Sequence, residues 1–191
     1  MVDSPLGPIP EGWEMTSVRD VATVIRGRSY RGSELVAEGG MPFLNLKCID
    51  RGGGFRPDGV KRYVGAYRES QKVGEGDVVM AVTDMTQERR IVAHAARVPR
   101  GYGDSVFSMD LVKIRPGAEV PGPYLYGMLR FSEFADEVKQ HANGANVLHL
   151  NPERIGDFKF PLPTAELRSV YSDFAEAVLS QSDVLHEPPR V

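Results

Sequence analysis

Short apolar runs separated by polar, glycine-marked breaks recur along this chain, and the clearest instance lies between residues 73 and 96. Gly74-Glu75-Gly76-Asp77 has turn chemistry. Val78-Val79-Met80-Ala81-Val82 follows as a continuous apolar run, the length of a buried strand. Thr83-Asp84-Met85-Thr86-Gln87-Glu88-Arg89-Arg90 then interrupts it with eight residues, seven of them polar. Ile91-Val92-Ala93 resumes the apolar pattern, which predicts a loop tip held between two strands. Thr, Asp, Gln and two Arg on such a tip form a hydrogen-bonding set with no plausible nucleophile among them.

The same patterning places the other elements. Ser17-x-x-Asp20 resembles a capping box and predicts a short helix over 18–22. Val24-Ile25 precedes Arg26-Gly27-Arg28-Ser29-Tyr30-Arg31-Gly32, a loop with three Arg and a Tyr. Pro42-Phe43-Leu44-Asn45-Leu46-Lys47-Cys48-Ile49 alternates and predicts a strand with Asn45 and Lys47 on its polar face. Residues 106–114 alternate as another strand, closed by Pro116-Gly117. Pro121-Gly122-Pro123 sets up a helix. Tyr124, Met128, Phe131, Phe134 or Ala135, and Val138 form its core-facing stripe, and Asn143-Gly144 its stop.

Residues 146–150 read as a short strand-like run. Asn151-Pro152 caps a short helix through Ile155, and Phe158-Lys159-Phe160-Pro161-Leu162-Pro163 is an extended segment stiffened by prolines. A final helix begins at Thr164. Leu167, Tyr171, Phe174, Val178 and Leu185 lie near heptad spacing, with Gln181 in the remaining seam position, and Pro188-Pro189 ends it. Such a seam suits packing on another helix. The sum is an α+β fold, a mixed and largely antiparallel sheet with packed helices. It divides into a globular domain over 1–163 and a C-terminal helix over 164–187.

Composition narrows the classes. Apolar residues make up 41% of the 191, enough for a sizeable core. Apolar runs of about five residues are too short to span a membrane, and the absence of a leader pattern makes the cytoplasm the default location. The single cysteine, Cys48, excludes an internal disulfide framework and a cysteine-based zinc site.

The net charge of −3 argues at first against nucleic acid, but its distribution changes that. Residues 1–100 carry 15 Lys and Arg against 13 Asp and Glu, whereas residues 101–191 carry 8 against 13. The Arg-rich half suits a polyanion. A pI near 5.8 implies that any DNA binding draws much of its electrostatic attraction from a partner. Arg56, Lys61, Arg62, Arg68 and Lys72, interleaved with Tyr63 and Tyr67, suit nucleic acid and an ordinary loop equally.

Catalytic sites find little support. His94, His141, His149 and His186 are scattered, without metal-ligand spacing. Neither a phosphate-binding loop nor a dinucleotide loop occurs, and no nucleophile elbow. The only Pro-Pro, Pro188-Pro189, lacks both ends of an amino-methyltransferase motif. A metal-dependent nuclease would have to combine Asp58 with Glu137-Val138-Lys139 or Asp157-Phe158-Lys159, neither on a convincing strand beside it.

The order of features resembles a known family. Ile9-Pro10-Glu11-Gly12-Trp13-Glu14 resembles the LPEGWE opening of target recognition domains in type I restriction–modification specificity subunits. Pro42-Phe43-Leu44-Asn45-Leu46 is similar to the family's first strand. Gly76-Asp77-Val78-Val79-Met80-Ala81-Val82-Thr83-Asp84-Met85-Thr86-Gln87 is similar to its GDIVVAMTDMTQ segment, the most specific match. Asn143-Gly144, His149-Leu150 and Phe160-Pro161-Leu162-Pro163 resemble its closing pattern. The likeness covers roughly residues 9–180. It departs at Thr164-Ala165-Glu166-Leu167, where the family usually runs a Pro-x-x-Glu-Gln segment into a long spacer helix. The chain has room for one of the usual two recognition domains, so it resembles a half-subunit.

The resemblance implies a non-catalytic reader of double-stranded DNA. It would hold a methyltransferase (modification) subunit, and through it a translocase/nuclease subunit, at one half of a bipartite site. S-adenosylmethionine, ATP and Mg would be bound by those partners, and the chain itself would carry no cofactor. A homodimer through the C-terminal helix is a further expectation. The residues expected at the DNA are Arg26, Arg28, Tyr30, Arg31, Asn45, Lys47, Thr83, Thr86, Gln87, Arg89 and Arg90, because Arg suits guanine and phosphate while Asn and Gln suit adenine. Thr83 and Asp84 have a second reading as loop-capping groups. Two alternatives stand beside this one: a partner-docking scaffold that no longer reads DNA, and the small nuclease.

Overall fold

The computed structural model describes residues 1–184, with side chains through 181. Leu185 of the predicted seam, the last residues of the predicted C-terminal unit and the Pro188-Pro189 stop lie outside the described residues. The chain opens with β1 (Glu14–Ser17), α1 (Val18–Val21) and β2 (Ala22–Arg26). Next come β3 (Leu35–Val36), β4 (Met41–Leu44), β5 (Lys61–Tyr63) and β6 (Lys72–Val73). The middle holds β7 (Val78–Ala81), β8 (Thr83–Asp84), β9 (Ala95–Arg97), β10 (Ser105–Phe107) and β11 (Leu111–Pro116). Then follow α2 (Gly122–Phe131), α3 (Phe134–Val138), β12 (Leu148–His149), α4 (Glu153–Asp157), β13 (Lys159–Leu162) and α5 (Ala165–Val184).

The central sheet is antiparallel, in the order β2-β11-β7-β9. It is covered on both faces. Val78 and Met80 of β7 join Val112 and Ile114 in the core shared with Leu125, Leu129, Phe134 and Ile155 of the helices. Val79 and Ala81 point the other way, into a core with Leu44, Cys48, Ile49 and Phe107. Burial on both faces is why residues 78–82 are continuously apolar rather than alternating. Cys48 is a free, buried thiol whose pKa burial pushes up to about 11.

The second sheet, β3-β5-β4-β10-β6, is antiparallel except where β10 runs parallel to β4. Two ribbons, β1-β13 and β8-β12, complete an α+β architecture. No helix among the described residues is long and apolar enough to cross a membrane.

The elements depart from the sequence pattern at four places. Residues 91–93 are not a strand, because the Ile91 and Val92 amides donate to the buried Asp84 carboxylate instead of to a strand neighbour. Strand β9 starts two residues later and pairs with β7. Residues 106–114 form two strands in different sheets, separated at Ser108-Met109-Asp110, where Leu111 N donates to Ser108 O at 3.0 Å.

The strand predicted over 42–49 ends at Leu44, and Asn45 caps a 3₁₀ turn, Leu46–Cys48. Asn45 is therefore inside the fold, not on a polar strand face: its Nδ2 donates to Gly59 O at 2.6 Å and its Oδ1 accepts from Lys47 N at 3.0 Å. The helix after Pro123 breaks at Ser132, whose hydroxyl donates to Met128 O at 2.6 Å and accepts from Phe134 N at 3.1 Å. Its buried residues are Leu125, Tyr126, Gly127 and Leu129, whereas Phe131 is 71% exposed. Tyr124 and Met128 pack on the core's edge with Phe134, Ala135 and Val138 inside it, and Tyr124 also meets Tyr171 of α5 edge-to-face, with centroids 5.7 Å apart.

Helix α5 packs on α2. Its inner face is mixed, with Leu179 against the core beside polar groups. Arg168 and Ser172 are buried, and Arg168 donates to the carbonyls of Pro163 and Glu119. Leu167, Val170, Phe174 and Val178 are exposed on it, and Tyr171, 40% exposed, turns one edge to Tyr124 of α2, so most of the predicted seam faces away from the domain.

Candidate nucleic-acid interface

One end of the central sheet gathers the polar loops that the sequence singled out. Its organiser is Asp84, which is fully buried. One carboxylate oxygen accepts from Thr86 N and Thr86 Oγ1, both at 2.9 Å. The other accepts from Ile91 N at 2.9 Å and Val92 N at 3.2 Å. Burial alone raises the pKa of this carboxyl. The hydrogen bonds from Ile91, Thr86 and Val92 outweigh it and hold the group below the usual carboxylate value. Asp84 is thus the closing clasp of the 85–90 loop.

That loop docks on the 140–145 segment. Gln87 Nε2 donates to Ala145 O at 2.8 Å. The Arg89 guanidinium donates to Gln140 Oε1 at 2.9 Å and to Ala142 O at 3.4 Å. Arg89 adopts φ of +53°, a left-handed conformation that its side-chain bonds help to hold. Arg90 pairs with Glu88 at 2.7 Å, and its carbonyl accepts from Gly52 N at 2.8 Å. Thr83 is buried in the ribbon opposite His149. Thr86, although exposed, is turned to Asp84.

The 26–31 loop leans on the second sheet. Arg28 N donates to Phe107 O at 2.7 Å, and Arg28 Nε donates to Tyr63 Oη at 3.3 Å. Tyr30 stands edge-to-face on Phe43, which stacks on Tyr63. Burial raises the Tyr30 pKa, as expected of a ring placed for packing. Gly27 is required at its position, since a Cβ there would lie 2.0 Å from Ser108 O.

The loop residues therefore divide by how their polar groups are used. Asn45, Thr86, Gln87 and Arg89 have side chains bonded within the protein, Thr83 is buried in the β8-β12 ribbon, Arg90 pairs with Glu88, and Arg28 and Tyr30 are tied to the aromatic cluster. Among the described residues, Arg26, Arg31, Lys47, Arg51, Arg56, Lys61, Arg62 and Arg68 are exposed, with no ion pair and no side-chain hydrogen bond. All lie between residues 26 and 68, a stretch with nine Lys and Arg against four Asp and Glu. Five of these eight were absent from the residues expected at the DNA, although the sequence showed their charge; which cations lack a carboxylate is a tertiary fact.

The nuclease candidates are spread over separate elements: Asp58 in the 3₁₀ turn Pro57–Gly59, Glu137 in α3, and Asp157 in α4, bonded to Arg19 and Arg154. Among the described residues, no three His, Cys, Asp or Glu side chains cluster as a metal site.

Comparison with known proteins places this fold. The chain is 23% identical over 180 residues to the StySPI specificity subunit of a type I restriction enzyme from Salmonella potsdam, covering 93% of this chain and 38% of that protein. It is 22% identical to the EcoKI specificity subunit of Escherichia coli K12, with the same coverage. It thus spans well under half the length of these relatives. Among solved structures, a chain from a study of complex assembly in the type I restriction–modification system superposes with a TM-score of 0.67 at 18% identity, over 95% of this chain and 42% of that one. The HsdS subunit from Thermoanaerobacter tengcongensis superposes at 0.62 and 17% identity, over 95% and 40%. The family model for the type I restriction modification DNA specificity domain matches residues 10–174, and the chain belongs to that family.

Proposed function

We propose that this chain is a non-catalytic, sequence-reading DNA module that brings a modification complex to its site. The observation that carries this reading is the stretch between residues 26 and 68, where eight exposed Lys and Arg side chains are left without an internal partner. Asp84, Thr86, Gln87, Arg89 and Arg90 are engaged within the protein, so the 84–90 loop acts as frame. Arg26, beside Thr83, and Arg31 are free forks, suited to guanine edges or phosphates. The other cations track the phosphate backbone and fix orientation.

The partners that fit are double-stranded DNA and a methyltransferase subunit, with a translocase/nuclease subunit joined through it. S-adenosylmethionine, ATP and Mg belong in this reading to those partners. A second copy is proposed to pair through α5, whose exposed Leu167, Val170, Tyr171, Phe174 and Val178 form an apolar face. Pairing would place two reading heads on one duplex. The test is to sequence modified bases in cells that express the chain with its modification partner and in cells that express the partner alone. A short methylated motif that depends on the chain supports the reading; identical methylomes overturn it.

A further inference from the structure

A groove of about 610 Å³ opens where the 26–31 loop meets the β8-β12 ribbon. Its exposed lining is Arg26, Ser29, Met109, His149 and Asn151, with Thr83 at its floor. No carboxylate lines it. Arg26 and His149 have no side-chain hydrogen bond or ion pair. Asn151 uses its carbonyl oxygen to cap α4, accepting from Glu153 N at 3.2 Å. Its amide points weakly at the Glu153 carboxylate, 3.4 Å away, and Glu153 lines a separate hollow on the far side of Arg26. The free polar groups of the groove, a guanidinium, a hydroxyl and an imidazole, can each donate, and none carries negative charge.

A duplex major groove receives convex elements, so a concave donor-lined slot does not suit base edges. It suits a chain of anionic acceptor oxygens. The wall at Met109, 55% exposed, offers an apolar surface to a sugar face. The rim is rigid, because Gly27 lies too close to Ser108 O to admit a Cβ, and Met109 N donates to Arg28 O at 2.8 Å across it.

We infer that this groove seats a phosphodiester segment of one DNA strand, with Arg26 as its charged contact and Ser29 and His149 as flanking donors, and that it sets register without reading bases. The inference rests on the DNA-reading function proposed above and assigns His149, Ser29 and Met109 to the contact surface.

The experiment measures binding of the purified full chain, held with its modification subunit, by fluorescence anisotropy across a salt series. One probe is a duplex selected by the protein from a random pool, and the other is its shuffled counterpart. Arg26→Ala is expected to weaken both duplexes equally, by about tenfold at low salt. It should also lower the slope of log affinity against log salt by about 0.9. His149→Ala should weaken both duplexes by a smaller, equal factor, and Lys159→Ala on β13 should change neither. A loss confined to the selected duplex would make Arg26 a base reader and overturn the inference. Unchanged affinity in both Arg26→Ala and His149→Ala, with wild type binding, would overturn the groove and leave the DNA-reading function standing. Failure of wild type to bind any duplex would overturn that function and the groove with it.

Discussion

The Arg97 guanidinium of β9 lies 2.8 Å from the Glu176 carboxylate of α5. Arg97 is buried and Glu176 is half-exposed, so the pair is the ionic fastening between the central sheet and the C-terminal helix. Removing the carboxylate leaves a buried cation with one partner fewer. Glu176→Ala should destabilise the fold by about 1 kcal/mol, discounted because Glu176 remains solvated. Urea unfolding would measure it, and amide exchange should rise in α5 before it rises in β7.

Asp84 gives a pH-dependent prediction. Its folded pKa is lowered, so the ionised carboxylate adds stability above the unfolded value of about 4 and loses it as pH falls through the folded value. Asp84→Asn retains shape but sets an amide donor against the Ile91 and Val92 N–H groups. It should cost about 2 kcal/mol at pH 7. The gap between wild type and variant, read from urea midpoints, should narrow below about pH 4. A gap independent of pH would contradict this account of the clasp.

Arg89 should couple two loops that are distant in sequence. Its guanidinium spans to Gln140 and Ala142. Arg89→Ala should raise amide exchange in residues 140–145 while leaving β7 and β11 protected. An effect limited to residues 85–90 would mean that the docking contributes nothing to the 140–145 segment.

Gly27→Ala tests the rim beside Arg26. A methyl group would meet Ser108 O at 2.0 Å, just past the end of β10, and the Phe107 ring at 2.8 Å, within it. The cost should be about 1–3 kcal/mol, with the strand ends shifted apart. Thermal unfolding of the variant against wild type measures it.

The apolar face of α5 predicts self-association. Sedimentation of wild type should show a concentration-dependent dimer. Phe174→Asp with Val178→Asp should be monomeric and still folded, since the two residues are 71% and 51% exposed. A variant that remains dimeric would place the contact elsewhere.

Much of the fold was legible because its signals are local. The apolar run at 78–82, the Ser17-Asp20 box and the prolines before α2 each carry their instruction within a few residues. The misreadings came from partners far along the chain. Asn45 looked like a strand residue because its acceptor, Gly59 O, lies 14 residues away. Ile91 and Val92 looked like a strand because Asp84, which takes their amides, sits across the loop. At the candidate site the sequence showed every arginine alike. Folding pairs Arg90 with Glu88 and bonds Arg89 inward, and it leaves Arg26 and Arg31 free. Charge was visible in the sequence, but its neutralisation was not.

Selection of a DNA sequence by this chain would show itself as enrichment from a random pool. The full chain, held with its modification subunit, would be incubated with random-sequence duplexes, and the retained DNA sequenced over successive rounds. Convergence on one short motif is expected, changed or lost when Arg31 is replaced by Ala and kept, at lower yield, when Arg26 is. Retained DNA no different in sequence from the input pool would contradict such selection.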